Sequence, residues 1–249
     1  MSIHEFILKT KRAETPFYAR LKRIGTAVLT LQIPIPRFLD PIYKLILWRR
    51  RVAWEMSERL SVVFFRYPVT RTLCVSIGER LQMEQIPKIS GNPQIYIGND
   101  VRLSGHLRVL AGRIFPDPAI KIGNRTFIGD GCTLSVARSI EIGDDVLIAA
   151  GCSILDFSNH PVDPERRVAG LQVDPEEVRP VRIGNRAWIG QRATVLPGVT
   201  IGDDAVVGAA TVVTKDVPPG SICVGNPGRI LSRKVYDVKP DELVQADFS

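Results

Sequence analysis

Val181–Pro227 reads VRIGNRAWIGQRATVLPGVTIGDDAVVGAATVVTKDVPPGSICVGNP. An aliphatic residue returns every six positions, at Ile183, Ile189, Val195, Ile201, Val207 and Val213, and glycine follows directly at Gly184, Gly190, Gly202 and Gly208. A small or β-branched residue usually stands four positions after each. A period of six matches neither the repeat of an amphipathic helix, about 3.6 residues, nor the alternation of a half-buried strand. It matches a solenoid in which three short, flat β segments make one triangular coil and the next coil stacks on it. Three sixes make the eighteen that separate Ile183 from Ile201, so each aliphatic residue is expected above its counterpart in a continuous internal ladder.

Upstream the same rhythm is looser. Ile95 to Val101 is a convincing first hexad, followed by Leu103 and Val109, whereas Ile77-Gly78-Glu79 is expected to be a false start. GRIFPDP, Gly112 to Pro118, interrupts as a bulged corner or short loop. Ile122, Ile128 and Leu134 make one coil, and Ile142, Ile148 and Ile154 the next, offset by two extra residues near Ser139. At the ~4.8 Å between neighbouring strands, about five to six coils give a prism roughly 25–30 Å long. The rhythm then fails from Asp156 to Pro180, a segment rich in proline and charge, and restarts at Val181. A long excursion that the frame does not require points to function. The chain thus divides into a basic, mostly helical segment at 1–80, a repeat domain at 81–231 with the extruded loop 156–180, and a tail at 232–249.

Charge is uneven. Of 33 Lys+Arg and 26 Asp+Glu, residues 1–80 hold 15 and 6, a net of +9, which leaves 18 and 20, a net of −2, for the remainder. Tyr43 to Phe65 has a basic centre, Arg49-Arg50-Arg51, flanked by Trp48 and Trp54, and the proline-rich IPIPRFLDP precedes it as an extended or turn-like link. Two readings of residues 1–70 stay open. One is a helical cap or trimer-contact segment whose basic residues are merely solvated; the other lies peripherally on an anionic membrane. Nucleic acid is disfavoured, since no binding motif accompanies the charge. No stretch holds the ~18 apolar residues of a membrane-spanning helix. Glu5, Lys9, Lys11, Arg12 and Glu14 exclude the apolar core of a signal peptide, so the expected compartment is the cytoplasm, with attachment at the inner membrane face under the second reading. Cys74, Cys132, Cys152 and Cys223 form no CxxC pair and no zinc-like cluster with histidine; Cys132 and Cys152 are expected to stack, reduced, inside neighbouring coils.

The hexads and the tail AVVGAATVVTKDVPPGSICVGNPGRI resemble the hexapeptide-repeat acyltransferases, and among them the sugar and maltose/galactoside O-acetyltransferases. The resemblance covers roughly Ile95 to Leu231 and is strongest from Ile142 onward. It implies a mainly β fold, a left-handed parallel β-helix with an N-terminal helical segment here. The left hand is implied by the resemblance alone, since parallel crossovers generally favour the right. It also implies acetyl-CoA as co-substrate, a homotrimer with the active site between adjacent prisms, a sugar or glycan acceptor, and no metal.

His160 lies at the root of the excursion in HPVDPERR, and this HPxDPxxR string resembles the catalytic-histidine segment of those enzymes. There a histidine acts as general base on an acceptor hydroxyl, which attacks the acetyl thioester directly while both substrates are bound. Histidine suits that work because its ordinary pKa of about 6.5 leaves it neutral yet basic near neutrality. Asp156, four residues earlier, is a candidate to orient the imidazole. The resemblance carries the thioester end of the coenzyme onto Trp188 and the Gly190-Gln191 backbone, the pantetheine track onto Ala209 and Ala210, and the phosphates onto Thr214, Lys215 and Arg229. Related enzymes often hold the acceptor with an Asn one coil earlier; this chain has Gly129-Asp130 there, which makes Asp130 the substrate-binding candidate. His4 and His106 carry no motif and read as structural. Other acceptors (a sugar amine, an antibiotic or serine) and a non-catalytic scaffold are the competing readings. A zinc carbonic anhydrase on the same fold would need three ligating histidines, and the chain has three in all, with His4 far from the repeats.

Overall fold

A computed structural model of the chain describes residues 3–31 and 36–231. Residues 32–35 of the proline-rich link and the tail at 232–249 lie outside the described residues. The chain divides into two compact units, Met1–Met56 and Ser57–Ser249.

The first unit opens with helices α1 (Ile3–Arg12) and α2 (Pro16–Leu29). Thr15 caps α2 by accepting the Tyr18 N–H, and Pro16 sits where its missing N–H costs nothing. Lys22 Nζ donates to the Lys11 carbonyl at 2.9 Å, and the Phe6 and Tyr18 rings meet edge to face at 5.8 Å, which ties the two helices together. A 3-10 turn, Arg37–Leu39, leads into α3 (Asp40–Ser61).

In the second unit a π turn, Val62–Arg66, and α4 (Tyr67–Thr72) close the start of a parallel β-helix: Val62, Tyr67 and Cys74 pack against its core, and the buried Thr70 hydroxyl donates to Met83 Sδ at 3.4 Å. Among the described residues the coils build three sheets of six, eight and six strands. The first face runs from Ser76–Ile77 to Thr200–Ile201, the second from Gln82–Met83 to Arg229–Leu231, and the third from Lys88–Ser90 to Val212–Val213. Ile183 pairs with Ile201, Ile189 with Val207 and Val195 with Val213, which is the eighteen-residue ladder the repeat demands, and all six side chains are buried. Cys132 and Cys152 are buried at successive corners, each thiol donating to a carbonyl of the next coil at 3.2 Å. The far end closes differently: Arg229–Leu231 folds back antiparallel on Ile222–Val224.

One corner, between the first and second faces, explains the residues that follow each aliphatic one. A Cβ at Gly123 would lie 2.4 Å from the Gly143 carbonyl oxygen, and one at Gly184 would lie 2.4 Å from Asp203 Oδ1, so the coils come as close as they do only because these positions are glycine. From the second coil onward Asn or Asp stands next: Asn99, Asn124, Asp144, Asn185 and Asp203 each accept a backbone N–H from the coil before, at 2.7–2.9 Å. The third corner residue is left-handed in every coil, with φ of 52–60° at Arg80, Asp100, Arg125, Asp145, Arg186 and Asp204. These pair as Arg80–Asp100, Arg125–Asp145 and Arg186–Asp204 through two-pronged guanidinium–carboxylate contacts. Arg80 and Arg125 hold the Asp100 and Asp145 carboxyls below their ordinary pKa. Ile77-Gly78-Glu79 is therefore no false start: Glu79 donates its N–H to Asn99 and Arg80 pairs with Asp100, so the first coil is a genuine one.

Gly123→Ala is expected to lower the thermal midpoint by several degrees, because a methyl group at 2.4 Å from backbone forces the coils apart. Gly25→Ala, where the added methyl meets nothing within 4 Å, should raise helix stability by about 1 kcal/mol at most. Calorimetry or thermal circular dichroism of both variants checks the contrast.

Candidate active site

The excursion leaves the prism at the corner between the third and first faces, after strand Ser153–Leu155 and before Val181–Ile183. Asp156 fastens it. This residue is fully buried; Oδ1 accepts the Ala137 N–H at 2.6 Å, and Oδ2 accepts those of Arg138 and Ser139 at 2.7 and 2.8 Å. Its carbonyl accepts the Arg179 N–H at 2.9 Å, so the same residue holds the coil below and the returning end of the loop. Burial pushes its carboxyl pKa up against the pull of the N–H donors. The expectation that Asp156 orients the His160 imidazole is corrected by this geometry: both oxygens are engaged by backbone donors, and Asp156 makes no hydrogen bond to His160.

Beside it the excursion has a small core of its own, in which Phe157, Val173 and Val178 bury against Ala137, with Ile114 and Phe115 packed on them. The last two belong to the GRIFPDP interruption, so the two irregular stretches of the sequence are packed on each other.

His160 is exposed on a tight turn. Asn159 is left-handed with φ of 61°, the His160 N–H donates to the Ser158 carbonyl at 2.8 Å, and the Ser158 hydroxyl donates to the His160 carbonyl at 2.9 Å. No described residue hydrogen-bonds its imidazole, which is left available on the surface. The rest of HPxDPxxR holds that turn. Asp163 caps the short helix α5 (Pro164–Val168) by accepting the Arg166 N–H at 2.8 Å, with Pro164 in the first helical position. Arg167 then reaches back and donates to the Pro161 and Val162 carbonyls at 3.0 and 2.9 Å, directly after the histidine. Arg166 pairs with Asp174 across the loop. The tethering role of Arg167 was hidden inside the motif, whose final arginine is this residue.

The candidates for the thioester and pantetheine end of the coenzyme lie along a different edge. Trp188 stands on the outer side of the second face, 52% exposed, between Leu147 and Val206 of the adjoining coils. Gly190 and Gln191 form the following corner, toward the third face, and Ala209 and Ala210 form the same corner one coil later. A Cβ at Gly190 would lie 2.6 Å from the Ala209 nitrogen, and the Ala210 N–H donates to the Gln191 carbonyl at 2.8 Å. Asp130 belongs to this edge too, lower down. Its Oδ1 accepts the His106 N–H at 2.6 Å, a contact that lowers its pKa, and the His106 Nδ1 lies 3.5 Å away. Thr214 and Lys215, by contrast, follow strand Val212–Val213 and so share the edge of His160, both exposed. Arg229 lies in the closing antiparallel strand, opposite Val224. A single prism therefore brings His160, Thr214 and Lys215 to one edge and Asp130, Gly190, Gln191, Ala209 and Ala210 to another. An open groove of about 600 Å³ on the first face, along the Lys121–Glu141–Arg182 ion-pair row, contains none of these residues.

Comparison with known proteins agrees with the repeat. Residues 180–215 match the family model "Bacterial transferase hexapeptide (six repeats)" and residues 119–156 match "Hexapeptide repeat of succinyl-transferase". The chain is 39% identical over 118 residues to galactoside O-acetyltransferase of Escherichia coli K12, covering 47% of this chain and 55% of that protein. It is 48% identical over 111 residues to nodulation protein L of Rhizobium meliloti strain 1021, covering 45% and 58%. The chain thus spans a little over half the length of these curated relatives. Among solved structures, AntD, an N-acyltransferase from Bacillus cereus in complex with dTDP and 3-hydroxybutyryl-CoA, shares the fold with a TM-score of 0.54 at 20% identity, over 69% of this chain and 89% of that one.

Asp156→Asn is expected to cost about 1–3 kcal/mol in urea unfolding, because the amide turns an NH₂ toward at least one of three buried N–H donors. Arg167→Ala should leave that stability nearly unchanged while backbone amides near 158–168 exchange faster. Equal exchange in both proteins would show that the tether does not hold the turn.

Proposed function

We propose that the chain, which belongs to the hexapeptide-repeat acyltransferase family, is an acetyl-CoA-dependent O-acetyltransferase acting on a hydroxyl of a sugar or polysaccharide precursor. The observation that carries this reading is His160: an imidazole with no hydrogen-bond partner among the described residues, on a turn held by Arg167, Asp163 and Asp156 at the root of the excursion. The acceptor class follows the relative named for galactoside O-acetylation.

In this mechanism His160 takes the proton of the acceptor hydroxyl as its oxygen attacks the acetyl carbonyl carbon. The carbon–sulfur bond then breaks, and the imidazolium returns its proton to the departing thiolate, so the enzyme ends unchanged. Both substrates are present together and no acetyl-enzyme forms. Lys215 and Arg229 supply positive charge for the coenzyme phosphates, with the Thr214 hydroxyl as a further donor. The small corner residues Gly190, Ala209 and Ala210 let the pantetheine arm lie against backbone beside Trp188, and Asp130 faces the acceptor.

The separation of these residues onto two edges gives the reading its assembly. A site made from the His160 edge of one protomer and the Gly190 edge of a second is a heterologous contact, and three such contacts close into a ring. A homotrimer satisfies every site at once. Contact of residues 1–70 with an anionic membrane belongs to the same reading as peripheral attachment, since no described helix is long and apolar enough to cross a bilayer.

Thiol release from acetyl-CoA over a panel of sugars and glycan fragments tests the proposal. His160→Ala should lose about 10²–10⁴-fold in turnover with coenzyme binding retained, and sedimentation should give three times the 27.6 kDa chain. Turnover unchanged by the substitution would remove His160 from the chemistry, and no coenzyme binding would remove the enzyme reading.

A further inference from the structure

The net charge of the protein resides in its first unit. Met1–Met56 holds 11 Lys+Arg against 4 Asp+Glu, a net of +7, and the other 193 residues hold 22 against 22. The same unit exposes apolar side chains in rows. On α2, Phe17, Ile24 and Val28 fall at the i, i+7, i+11 spacing of a single helical stripe and are 62, 53 and 67% exposed; Arg20 stands at the i+3 position on its border, while Lys22 and Arg23 lie off it. On α3, Ile42, Leu45 and Met56, also about half exposed, share one face with Arg49, while the opposite side carries Lys44 and Arg51 together with the exposed Leu47 and Trp54. Trp48 borders the Arg49 face, exposed.

We infer that α2 and α3 are the surface by which this protein lies in the interface of an anionic lipid membrane, apolar rows in the acyl boundary and basic residues among the headgroups. Two observations favour lipid over a second copy of the chain. A second copy would set +7 against +7, whereas acidic headgroups complement the charge. Arg49, inside the apolar row, would be an unpaired charge in a protein–protein core but can extend its guanidinium to the headgroups from a bilayer surface. The helices lie in the plane of the membrane, none being long and apolar enough to cross it. The inference deepens the peripheral attachment proposed above, yet stands on charge and helix faces rather than on the chemistry at His160.

Flotation of the full chain with vesicles tests it, using phosphatidylcholine alone and phosphatidylcholine mixed with phosphatidylglycerol, each at low and high salt. Binding is expected to the mixed vesicles at low salt, and to fall at least about tenfold with phosphatidylcholine alone or at high salt. The double variant Ile24→Glu and Val28→Glu should lose about as much while keeping its far-ultraviolet dichroism and its thiol-release activity, which separates failure of this inference from failure of the enzyme reading. Absence of binding to mixed vesicles would overturn it. So would binding unaltered by the two substitutions, or self-association of the free protein that they abolish without any vesicle binding.

Discussion

Stacking of one coil on the next at a single strand spacing, in strict register, is the constraint from which the rest of this protein follows. Parallel strands only about 4.8 Å apart leave room inside only for aliphatic side chains stacked in register from coil to coil. The positions so defined, from Leu103 and Ile120 through Ile201, are fully buried. Each contributes about 1.5–3 kcal/mol of burial, and each is useful only if its neighbours above and below are in line. The same spacing dictates the corners: glycine where backbone meets backbone at Gly123 and Gly184, and an Asn or Asp oxygen wherever a turning N–H would lose its strand partner. Function is displaced to the outside as a result. The interior is filled with aliphatic side chains, so chemistry has to sit on the edges, and edges face in different directions.

That displacement explains why the irregular segments are the most elaborately fastened parts of the molecule. A loop outside the repeat gains nothing from the ladder and has to be held by local means. Asp156 spends a buried carboxylate on three backbone amides at its root, Phe157 and Val178 share a core with the Phe115 bulge, and Arg167 ties the carbonyls that follow His160. None of these anchors touches the imidazole. They position the turn and leave the ring without a hydrogen-bond partner among the described residues.

Much of this was legible in the residues. Periodicity is a local property of the chain, so the eighteen-residue ladder and the break at 156–180 could be read directly, and the pairing of Ile183 with Ile201 is that period made physical. Ile77-Gly78-Glu79 escaped because a single coil offers no repeat to count; its identity lies in Asn99 and Asp100, some twenty residues on, which its corner engages. Asp156 is not legible in the same way: its proximity in sequence to His160 points to a partnership, while its partners at 137–139 belong to the coil beneath. Likewise, His160 and Gly190 are near in sequence yet separated by two faces of a coil, and only topology reveals that they stand on different edges.

The left-handed corner residues have a further consequence. Their order along the first edge is Arg80, Asp100, Arg125, Asp145, Arg186, Asp204, a strict alternation of sign in which the close pairs are first with second, third with fourth and fifth with sixth. Excising the coil that carries Arg125 would preserve the aliphatic ladder, the glycines and the Asn/Asp row, yet it would stack Asp100 directly beneath Asp145. Excising two would restore the alternation. The edge therefore ties the coils together in pairs through exposed ion pairs, each individually weak in water, a pairing that the aliphatic interior does not share.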